Sequence, residues 1–499
     1  MLHNRTFIKT SQIGGVSGLS QFSSLSNSTV FFDMEEETDY TIVLTNAENI
    51  TFDGMQTALV CKSTLFQIDG GCKNIEICNF NAEAKNGYSP DFQCMTRNNN
   101  TIVRENIHIH DNYLRCFSIA ISLGADNVLE PGEGVRYSKV HNNRIIGTQG
   151  TVAGTGYAIH MANACYCDIF DNYIENSTRH AIYHAWGRNN IIKNNTIAHH
   201  RKTVDFTNVS TGEIKGAIAV FRDSQNVLIE NNIFIDNYNT SIHIHSFPDL
   251  EYLNEALYAD MYGITIKNNH FVNNGIHTVR ISLSETTEID YPSIMIGFNT
   301  YNPYTATNQY YIKDVTISGN IFENLDTNCQ QCIRMYECSL LNIINNEFVF
   351  SHSSNISSSK FWFIISLETD YKDYTSFTTN NVRNTIATLN THTTIHVYVL
   401  NELANFFITQ NNRIKVKDNE LINQRTSNGL TYRLYYSYES QTDNTYHINA
   451  ILQTENSIEH NLPNSGYHIF GDLAFTNTIS GITKYRCIAA GNPGQWQTF

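Results

Sequence analysis

The sequence is poor in the features that build helical, membrane-spanning or nucleic-acid-binding proteins. Only 7 of its 499 residues are proline, yet long amphipathic stretches with a 3.6-residue period are missing. One plausible helix, Asp249–Asp260, lies in an insertion. No apolar run reaches the length of a membrane span, and no signal peptide opens the chain. The formal net charge of −15, without a basic cluster, argues against a nucleic-acid partner.

The 11 cysteines do not form the pairs that a disulfide framework or a zinc site would need. Cys329 and Cys332 have the spacing of one zinc-binding pair, but no second pair accompanies them. Cys165 and Cys167 have the spacing of a strand. We therefore expect buried thiols in a protein made in a reducing cytoplasm. No Asp/Glu cluster indicates a calcium site, and we expect neither a metal nor a cofactor.

What the chain does have is an asparagine that returns in the same hydrophobic frame, after a short β-rich run. The repeated residues are Asn112, Asn143, Asn172, Asn195, Asn232, Asn269, Asn320, Asn346 and Asn419. A further Asn or Asp often follows four residues later, as at Asn176, Asp236 and Asn273. Asn tolerates the left-handed backbone conformation and so suits a tight corner between strands. Stacked Asn side chains can also bond one another in a ladder.

A long repeat with variable insertions is typical of a stacked architecture rather than a closed domain. Short alternating runs bounded by Asn, Gly, Asp and Ser indicate strands. The sequence therefore predicts an all-β fold, a right-handed parallel β-helix of about a dozen rungs, with a small C-terminal β element. We expect a linker or the remnant of an upstream domain at 1–30, the β-helix at 31–460 and the C-terminal element at 461–499.

Two parts of the chain resemble known families. The asparagine-repeat region resembles the pectate-lyase-like parallel β-helix superfamily, which includes lyases, hydrolases, epimerases and inert spikes. The final stretch looks like an element at the C-termini of bacteriophage tail spikes and side tail fibres. Its pattern is matched by Gly471, Asp472, Tyr485, Cys487, Gly491, Pro493, Gly494 and Trp496. Together they imply a phage tailspike depolymerase, a homotrimer of the virion tail that degrades a bacterial surface polysaccharide, with other tail proteins as further partners.

Side chains alternate along a strand, so every second residue points to the core and the residues between them point outward. In the stacked strands, outward residues at equivalent positions form columns, two of them along this sheet. We place these residues inward: Ile119, Ile159, Ile182, Ile218, Ile242, Val279 and Ile333. The first outward column then holds Ala120, His160, Tyr183, Ala219, His243, Arg280 and Arg334. The second holds Ser122, Ala162, Ala185, Phe221, His245, Ser282 and Tyr336. Adjacent rungs lie about 4.8 Å apart, so His160 and Tyr183 should be direct neighbours. His184 should point inward as a hydrogen-bonded core histidine.

Long insertions on both sides of short-turned rungs predict a trough over these columns. The turns after the strands are short at 163–167, 187–190 and 223–226, and long at 124–137, 246–262 and 284–312. Insertions at 147–156 and 199–215 border the other margin. A floor of aromatic rings with cationic edges suits an acidic polysaccharide, because Arg and Lys bind carboxylates.

β-Elimination on such a polymer needs a base, an acid for the leaving oxygen and a cation that stabilises the enolate. We assign His160 as the base, Tyr183 as acid or base, and Arg179 or Arg201 as the cation. The residues expected to bind the substrate are Phe221, His243, His245, Arg280, Trp186 and Lys202.

Three other interpretations stay open. His160 and Tyr183 would instead belong to an aromatic ladder that only stabilises the stacking of rungs. Glycoside hydrolysis would use a pair of carboxylates. The main candidates are Asp205, Glu213 and Asp223, and the others are Asp171, Glu175, Glu285 and Glu337. A receptor-binding spike would hold the polysaccharide in the same trough without cleaving it.

Overall fold

The computed structural model describes most of the first 297 residues and shorter pieces of the rest. Fully described are 5–85, 90–94, 103–124, 134–150, 154–201, 215–221, 223–245, 261–275, 291–297, 312–324, 332–335, 338 and 341–350. Elsewhere the structure describes the strands given below. The chain forms two compact units, one of Met1–His270 with His277–Ile289, the other of Phe271–Ile276 with Asp290–Phe499. No helix in the described ranges is long and apolar enough to cross a membrane.

The first unit consists of three parallel sheets, which the chain visits in turn. Sheet I contains Ile42–Leu44, Phe66–Ile68, Gln93–Cys94, Ile119–Gly124, Tyr157–Ala162, His180–Ala185, Ile218–Phe221 and Ile242–His245. Sheet II contains Thr6–Lys9, Ser28–Phe31, Glu48–Asp53, Lys73–Cys78, Arg104–His110, Lys139–His141, Asp168–Phe170, Ile191–Lys193, Leu228–Glu230 and Met261–Lys267, with the short strands Val135–Arg136 and Ala164–Cys165 beside it. Sheet III contains Glu36–Thr38, Ala58–Cys61, Asn81–Ala84, Tyr113–Arg115, Arg144–Ile146, Tyr173–Glu175, Thr196–Ala198 and Ile233–Ile235.

The second unit repeats this three-sheet plan. One stack contains Ile294–Ile296, Ile333–Met335, Phe363–Leu367, Thr394–Val399 and Arg433–Glu439, followed by the antiparallel strand Thr445–Ile451. The second contains Ile312–Ser318, Leu341–Ile344, Thr375–Thr378 and Ile414–Lys417. The third contains His270–Val272, Ile321–Asn324, Glu347–Phe350, Asn381–Asn384 and Glu420–Asn423. A separate antiparallel sheet of Leu473–Thr478, Gly481–Ala489 and Gln495–Thr498 forms the predicted C-terminal β element.

Parallel strands joined by crossovers that pass through two other sheets form a β-helix, and such crossovers are right-handed in nearly all proteins. The predicted fold class is therefore confirmed. The predicted helix Asp249–Asp260 lies outside the described residues.

Apolar side chains at alternate positions of the strands point inward and fill the centre of the coil. These fully buried residues include Ile159, Ile182, Ile218 and Ile242 of sheet I, Ile109, Val140, Ile169, Ile192 and Ile229 of sheet II, and Leu114, Ile174 and Phe234 of sheet III. Burial of one such side chain stabilises the fold by about 1.5–3 kcal/mol. Because the strands are short, this regular stacking, rather than any one element, holds the unit together.

The repeated asparagines form a buried hydrogen-bonded ladder at the corner between sheets II and III. Each side-chain amide donates to the carboxamide oxygen of the next, from Asn112 through Asn143, Asn172, Asn195 and Asn232 to Asn269, at 2.9–3.0 Å. In the second unit Asn320 donates to Asn346 at 2.9 Å. The ladder predicted from the sequence is thus present.

The left-handed conformation belongs to different residues from the ladder. It is adopted by the residue before each ladder asparagine, such as Asp111, Asn142 and Asp171, all with φ between 54° and 55°. The Asn or Asp four residues later, as at Asn176, takes the same conformation at the following corner. The repeated sequence therefore contains both a residue that adopts the left-handed conformation and an asparagine that forms the ladder. The repeat alone does not show which residue has which role.

The N-terminal residues form the first layer of the coil. Thr6–Lys9 pairs in parallel with Ser28–Phe31, and a short helix, Thr10–Ile13, and a 3₁₀-helix, Val16–Gln21, lie between them. Asp33 accepts hydrogen bonds from the backbone N–H and hydroxyl of Ser11 at 2.9 and 2.7 Å, which ties the helix to the segment after Ser28–Phe31. Val16 and Leu19 of the 3₁₀-helix are buried and belong to the core of the first unit. The domain boundaries expected at residues 30 and 460 stay predictions.

Candidate functional site

The strands of sheet I bring most of the predicted residues into contact, with one error of register. His160 pairs with Tyr183, Tyr183 with Ala219, and Ala219 with His243, as the sequence predicts. On the preceding strand, however, Ile121 and not Ile119 pairs with Ile159, so Ser122 and not Ala120 lies beside His160. This register gives His160 a hydrogen-bond partner, because the Ser122 hydroxyl lies 3.1 Å from His160 Nδ1.

Seven rings pack against one another along this face, and we call them the ring cluster. They are Tyr157, His160, His180, Tyr183, Phe221, His243 and His245. The His160 and Tyr183 rings stack with centroids 5.3 Å apart, and Phe221 stacks on Tyr183 at the same distance. His160, His243 and His245 are buried, whereas Tyr183 and Phe221 are half-buried. The rings that a solvent-borne ligand would meet are therefore those of Tyr183 and Phe221.

Tyr157 joins the three groups assigned to catalysis. Its ring stacks on His160 at 5.5 Å and on Tyr183 at 5.2 Å, and the Arg179 guanidinium lies over it, 5.6 Å from the centroid. Within the described part of the chain, Nε and Nη1 of Arg179 are buried without a hydrogen-bond partner. A guanidinium N–H without a partner can donate to a carboxylate oxygen. Sequence reasoning missed Tyr157, although it lies three residues before His160 on the same strand.

His180, which sequence reasoning also missed, is a neutral histidine in a fixed orientation. It pairs with Tyr157 across sheet I, and its Nδ1–H donates to the Gly216 carbonyl at 2.7 Å. Burial holds the pKa of His180 well below its usual range, with smaller contributions from Lys215 and Arg179. A side chain at Gly216 would collide with the backbone of His243, so the close approach of these strands needs glycine there.

His184 is the predicted core histidine. Ser224 donates to the Phe221 carbonyl, so the Ser224 oxygen accepts from His184 Nδ1–H at 2.9 Å. Asn190 donates to the other ring nitrogen at 2.9 Å. Burial lowers the pKa of His184 to about 4. A satisfied and neutral histidine of this kind has a structural role and fixes the end of its strand beneath the ring cluster.

Three further predicted residues lie at corners next to sheet I and sheet III. Asp223 is buried, accepts from the Gln225 amide at 2.8 Å and faces the Arg188 guanidinium at 3.5 Å. Trp186 follows its strand directly, half-buried and with φ of 51°, which places it at a corner. Arg201 is 1% exposed, so it does not present its charge to solvent at the margin of a trough.

Of the remaining predicted site residues, one is placed differently by the structure and three lie outside the described residues. Val279–Arg280 pairs antiparallel with Thr286–Thr287, so Arg280 does not stand in the outward column of the parallel sheet. In the second unit the neighbour of Arg334 is Met295, from the strand Ile294–Ile296. Lys202, Asp205 and Glu213 lie outside the described residues, as do most of the insertions expected to wall the trough.

A second group of chemically active side chains lies on sheet II. The ligand atoms of Glu76, Cys78 and His110 all lie within 4.8 Å of one another. Sequence reasoning expected no metal site and missed this group, because His110 comes from the next rung and no spacing pattern links it to Cys78. The described thiols are free, and six of them are buried as expected, whereas Cys116 and Cys165 are half-buried.

Comparison with known proteins identifies the fold. A family model described as right-handed beta helix region matches residues 128–295. The catalytic domain of Agl-KA matches with 12% identity and a TM-score of 0.46, over 85% of this chain and 69% of that one. PfbA, a surface adhesin of Streptococcus pneumoniae, matches with 12% identity and a TM-score of 0.42, over 96% and 98%.

A tailspike protein mutant of E. coli bacteriophage HK620, in complex with a pentasaccharide, matches with 12% identity and a TM-score of 0.45, over 98% of this chain and 87% of that one. Each likeness is one of fold. Among curated proteins none matches the chain significantly. The family model and the strand pairing together confirm that the chain is a right-handed parallel β-helix protein, as its asparagine repeat predicts.

Proposed function

We propose that the chain binds and cleaves an acidic bacterial surface polysaccharide, capsular or exopolysaccharide, by β-elimination at the ring cluster. The observation that carries this proposal is the arrangement around Tyr157. One ring contacts a histidine, a second tyrosine and an arginine whose two buried donors lack a partner among the described residues. An acid, a base and a carboxylate-binding cation are what this reaction requires.

Each group has one step. Arg179 binds the uronate carboxylate and stabilises the charge that develops on it when the neighbouring C–H bond breaks. His160 takes that proton through the ring nitrogen that does not face Ser122. Tyr183 gives its hydroxyl proton to the glycosidic oxygen as the C–O bond breaks and a carbon–carbon double bond forms. Tyr183 and Phe221 are half-buried and supply the flat surface on which a sugar ring stacks.

The carboxylate pair of a hydrolase has less support in the described residues. Asp223 is the one of the three main candidates that they include, and its two oxygens already face Gln225 and Arg188. Inverting and retaining hydrolases need a second carboxyl group about 5–9.5 Å away. The other two candidates, Asp205 and Glu213, lie outside the described residues.

The assembly and location follow from the C-terminal pattern. We propose a homotrimeric spike of a phage tail that acts outside the host cell, beside other tail proteins. Analytical ultracentrifugation of the full chain tests the trimer: the expected species has three times the 56.8 kDa mass of one chain. A monomer at all concentrations would contradict it.

Digestion of purified uronate-containing bacterial polysaccharides tests the chemistry. The ultraviolet absorbance of unsaturated uronates and the number of new reducing ends are followed in parallel. We expect both to rise, and Tyr183→Phe, His160→Gln and Arg179→Gln to lower kcat by about 10²- to 10⁴-fold. Tyr113→Phe is the matched control, because Tyr113 also stacks with arginine, but on sheet III.

Two other results would redirect the assignment. Reducing ends without absorbance would overturn β-elimination and favour hydrolysis, with Asp223→Asn as the next variant. A polymer that is bound by the protein and never cleaved would leave a receptor-binding spike.

A further inference from the structure

Glu76, Cys78 and His110 converge on the outer face of sheet II, away from the ring cluster. Glu76 and Cys78 lie two residues apart on Lys73–Cys78, so both side chains point to the same face. His110 is the last residue of the neighbouring strand and pairs with Cys78. Its Nε2 atom lies 3.1 Å from Glu76 Oε1, and the three ligand atoms fit within 4.8 Å. One oxygen, one sulfur and one nitrogen donor therefore surround a common point.

A second carboxylate fixes the orientation of His110. Its Nδ1 lies 2.7 Å from Asp111 Oδ2, so Nδ1–H donates to Asp111 and Nε2 faces Glu76. A carboxylate oxygen therefore lies within hydrogen-bonding distance of each nitrogen of the His110 ring. A carboxylate–histidine pair that leaves the other nitrogen for a metal is a recurrent feature of metal sites. The backbone helps this placement, since Asp111 occupies the left-handed corner with φ of 55°.

The charges around Cys78 favour a cation in the same place. Cys78 is 5% exposed, and its Sγ lies 3.7 Å from the Phe52 carbonyl. Burial, together with Asp53, Glu76 and Asp111, raises the pKa of Cys78 to about 12. The pKa of Glu76 is lowered although burial opposes this, because hydrogen bonds from Thr51 and His110 favour its carboxylate. A divalent cation among these groups would convert the thiol to a thiolate ligand, as metals do.

We propose that Glu76, Cys78 and His110 bind a borderline-soft divalent cation of the Zn²⁺ type, with Asp111 as the positioning residue of His110. Mixed sulfur, nitrogen and oxygen donors select Zn²⁺ over Ca²⁺ or Mg²⁺, which take oxygen ligands. The ligands come from successive rungs that are joined through the chain segment 79–109, so the bound cation clamps these rungs together. The site is independent of the proposed polysaccharide cleavage.

Titration of the full chain with Zn²⁺, under a non-thiol reductant, tests this site. Calorimetry should give a binding event that Cys78→Ser and His110→Gln weaken at least tenfold, and that Asp111→Asn weakens by about 10- to 100-fold. Cys61→Ser is the matched control, because Cys61 is also a buried thiol whose pKa is raised to about 12. Zn²⁺, but not Mg²⁺, should raise the Tm of the wild type and of Cys61→Ser. Equal Zn²⁺ affinity in Cys78→Ser and the wild type would overturn the proposal.

Co²⁺ gives a second test that does not depend on the stability of the Cys78 variant. In the wild type, Co²⁺ should produce a thiolate-to-metal charge-transfer band that Zn²⁺ displaces. Glu76→Gln changes a half-buried residue and should lower the affinity for Co²⁺ without loss of the fold. Absence of the charge-transfer band from the wild type, or an unchanged affinity in Glu76→Gln, would refute ligation by these residues.

Discussion

Replacement of Asn172 by alanine should break the asparagine ladder at its centre. The Asn172 carboxamide oxygen accepts from the backbone N–H and the side-chain amide of Asn143, each at 3.0 Å. Its own amide donates to Asn195 at 2.9 Å and to the Val140 carbonyl at 3.0 Å. Asn172→Ala leaves the buried Asn143 N–H without its acceptor, which costs about 1–3 kcal/mol, and the other lost bonds add about 1 kcal/mol. The expected loss of unfolding free energy is about 2–4 kcal/mol.

Denaturant unfolding measures the total, and amide hydrogen exchange locates it. The Asn143 amide should lose its protection in Asn172→Ala, while amides several rungs away keep theirs, because each rung contacts only its neighbours. Asn81→Ala is the control: Asn81 is half-buried and accepts one bond, from Arg115 at 3.3 Å, so its loss should cost about 0.5 kcal/mol. If the Asn143 amide stays as protected as in the wild type, or the two variants lose equal stability, the ladder contributes little and the reasoning is wrong.

Three further predictions concern the first unit. His184 has a pKa of about 4 in the folded protein and about 6.5 in the unfolded chain. The stability present above pH 6.5 is therefore lost as the pH falls from 6.5 to 4, by about 1.4 kcal/mol of unfolding free energy per pH unit. His184→Gln should flatten the dependence of Tm on pH. Phe92 is fully buried, so Phe92→Ala should cost about 3–5 kcal/mol in denaturant unfolding, whereas Phe7→Ala, at a 69% exposed ring, should cost under about 1 kcal/mol. Asp33→Ala removes both oxygens that accept from Ser11, so it should lower the unfolding free energy by about 1 kcal/mol and speed exchange of the Ser11 amide, and unchanged exchange would contradict a stabilising role of this contact.

The fold was predictable from the sequence because one residue type has to recur wherever the ladder runs. Asn172 cannot be replaced without loss of both a donor and an acceptor, so the repeat is visible even though the segments between copies differ. The neighbours His160 and Tyr183 were predictable for a related reason. Parallel strands with one inward isoleucine each, Ile159 and Ile182, fix which side chains stand side by side.

The predicted register was wrong on the strand Ile119–Gly124. Ile119 and Ile121 have the same alternation, and both are buried, so periodicity alone cannot choose between them. The predicted position of Arg280 was wrong for a different reason. The run at Val279 has the composition of a strand, but composition does not show whether the partner is parallel or antiparallel.

The sequence did not predict specific side-chain contacts between rungs or the burial of charged side chains. The position of Tyr157 against Arg179 depends on the path of two corners, and no spacing rule gives it. The same holds for Cys78 and His110, which are separated along the chain and become adjacent only when the coil is formed. Burial of Arg201 likewise could not be read from a loop that is polar in sequence.

The bond lengths of the asparagine ladder stay at 2.9–3.0 Å, while its members are separated by 31, 29, 23, 37 and 37 residues. The geometry of the ladder therefore does not depend on the number of residues between one asparagine and the next. Segments can be lengthened, shortened or exchanged there while the backbone of neighbouring rungs keeps its course. A protein built this way can acquire a new specificity by changing its loops alone, and the same property makes the corners the natural places for engineered insertions.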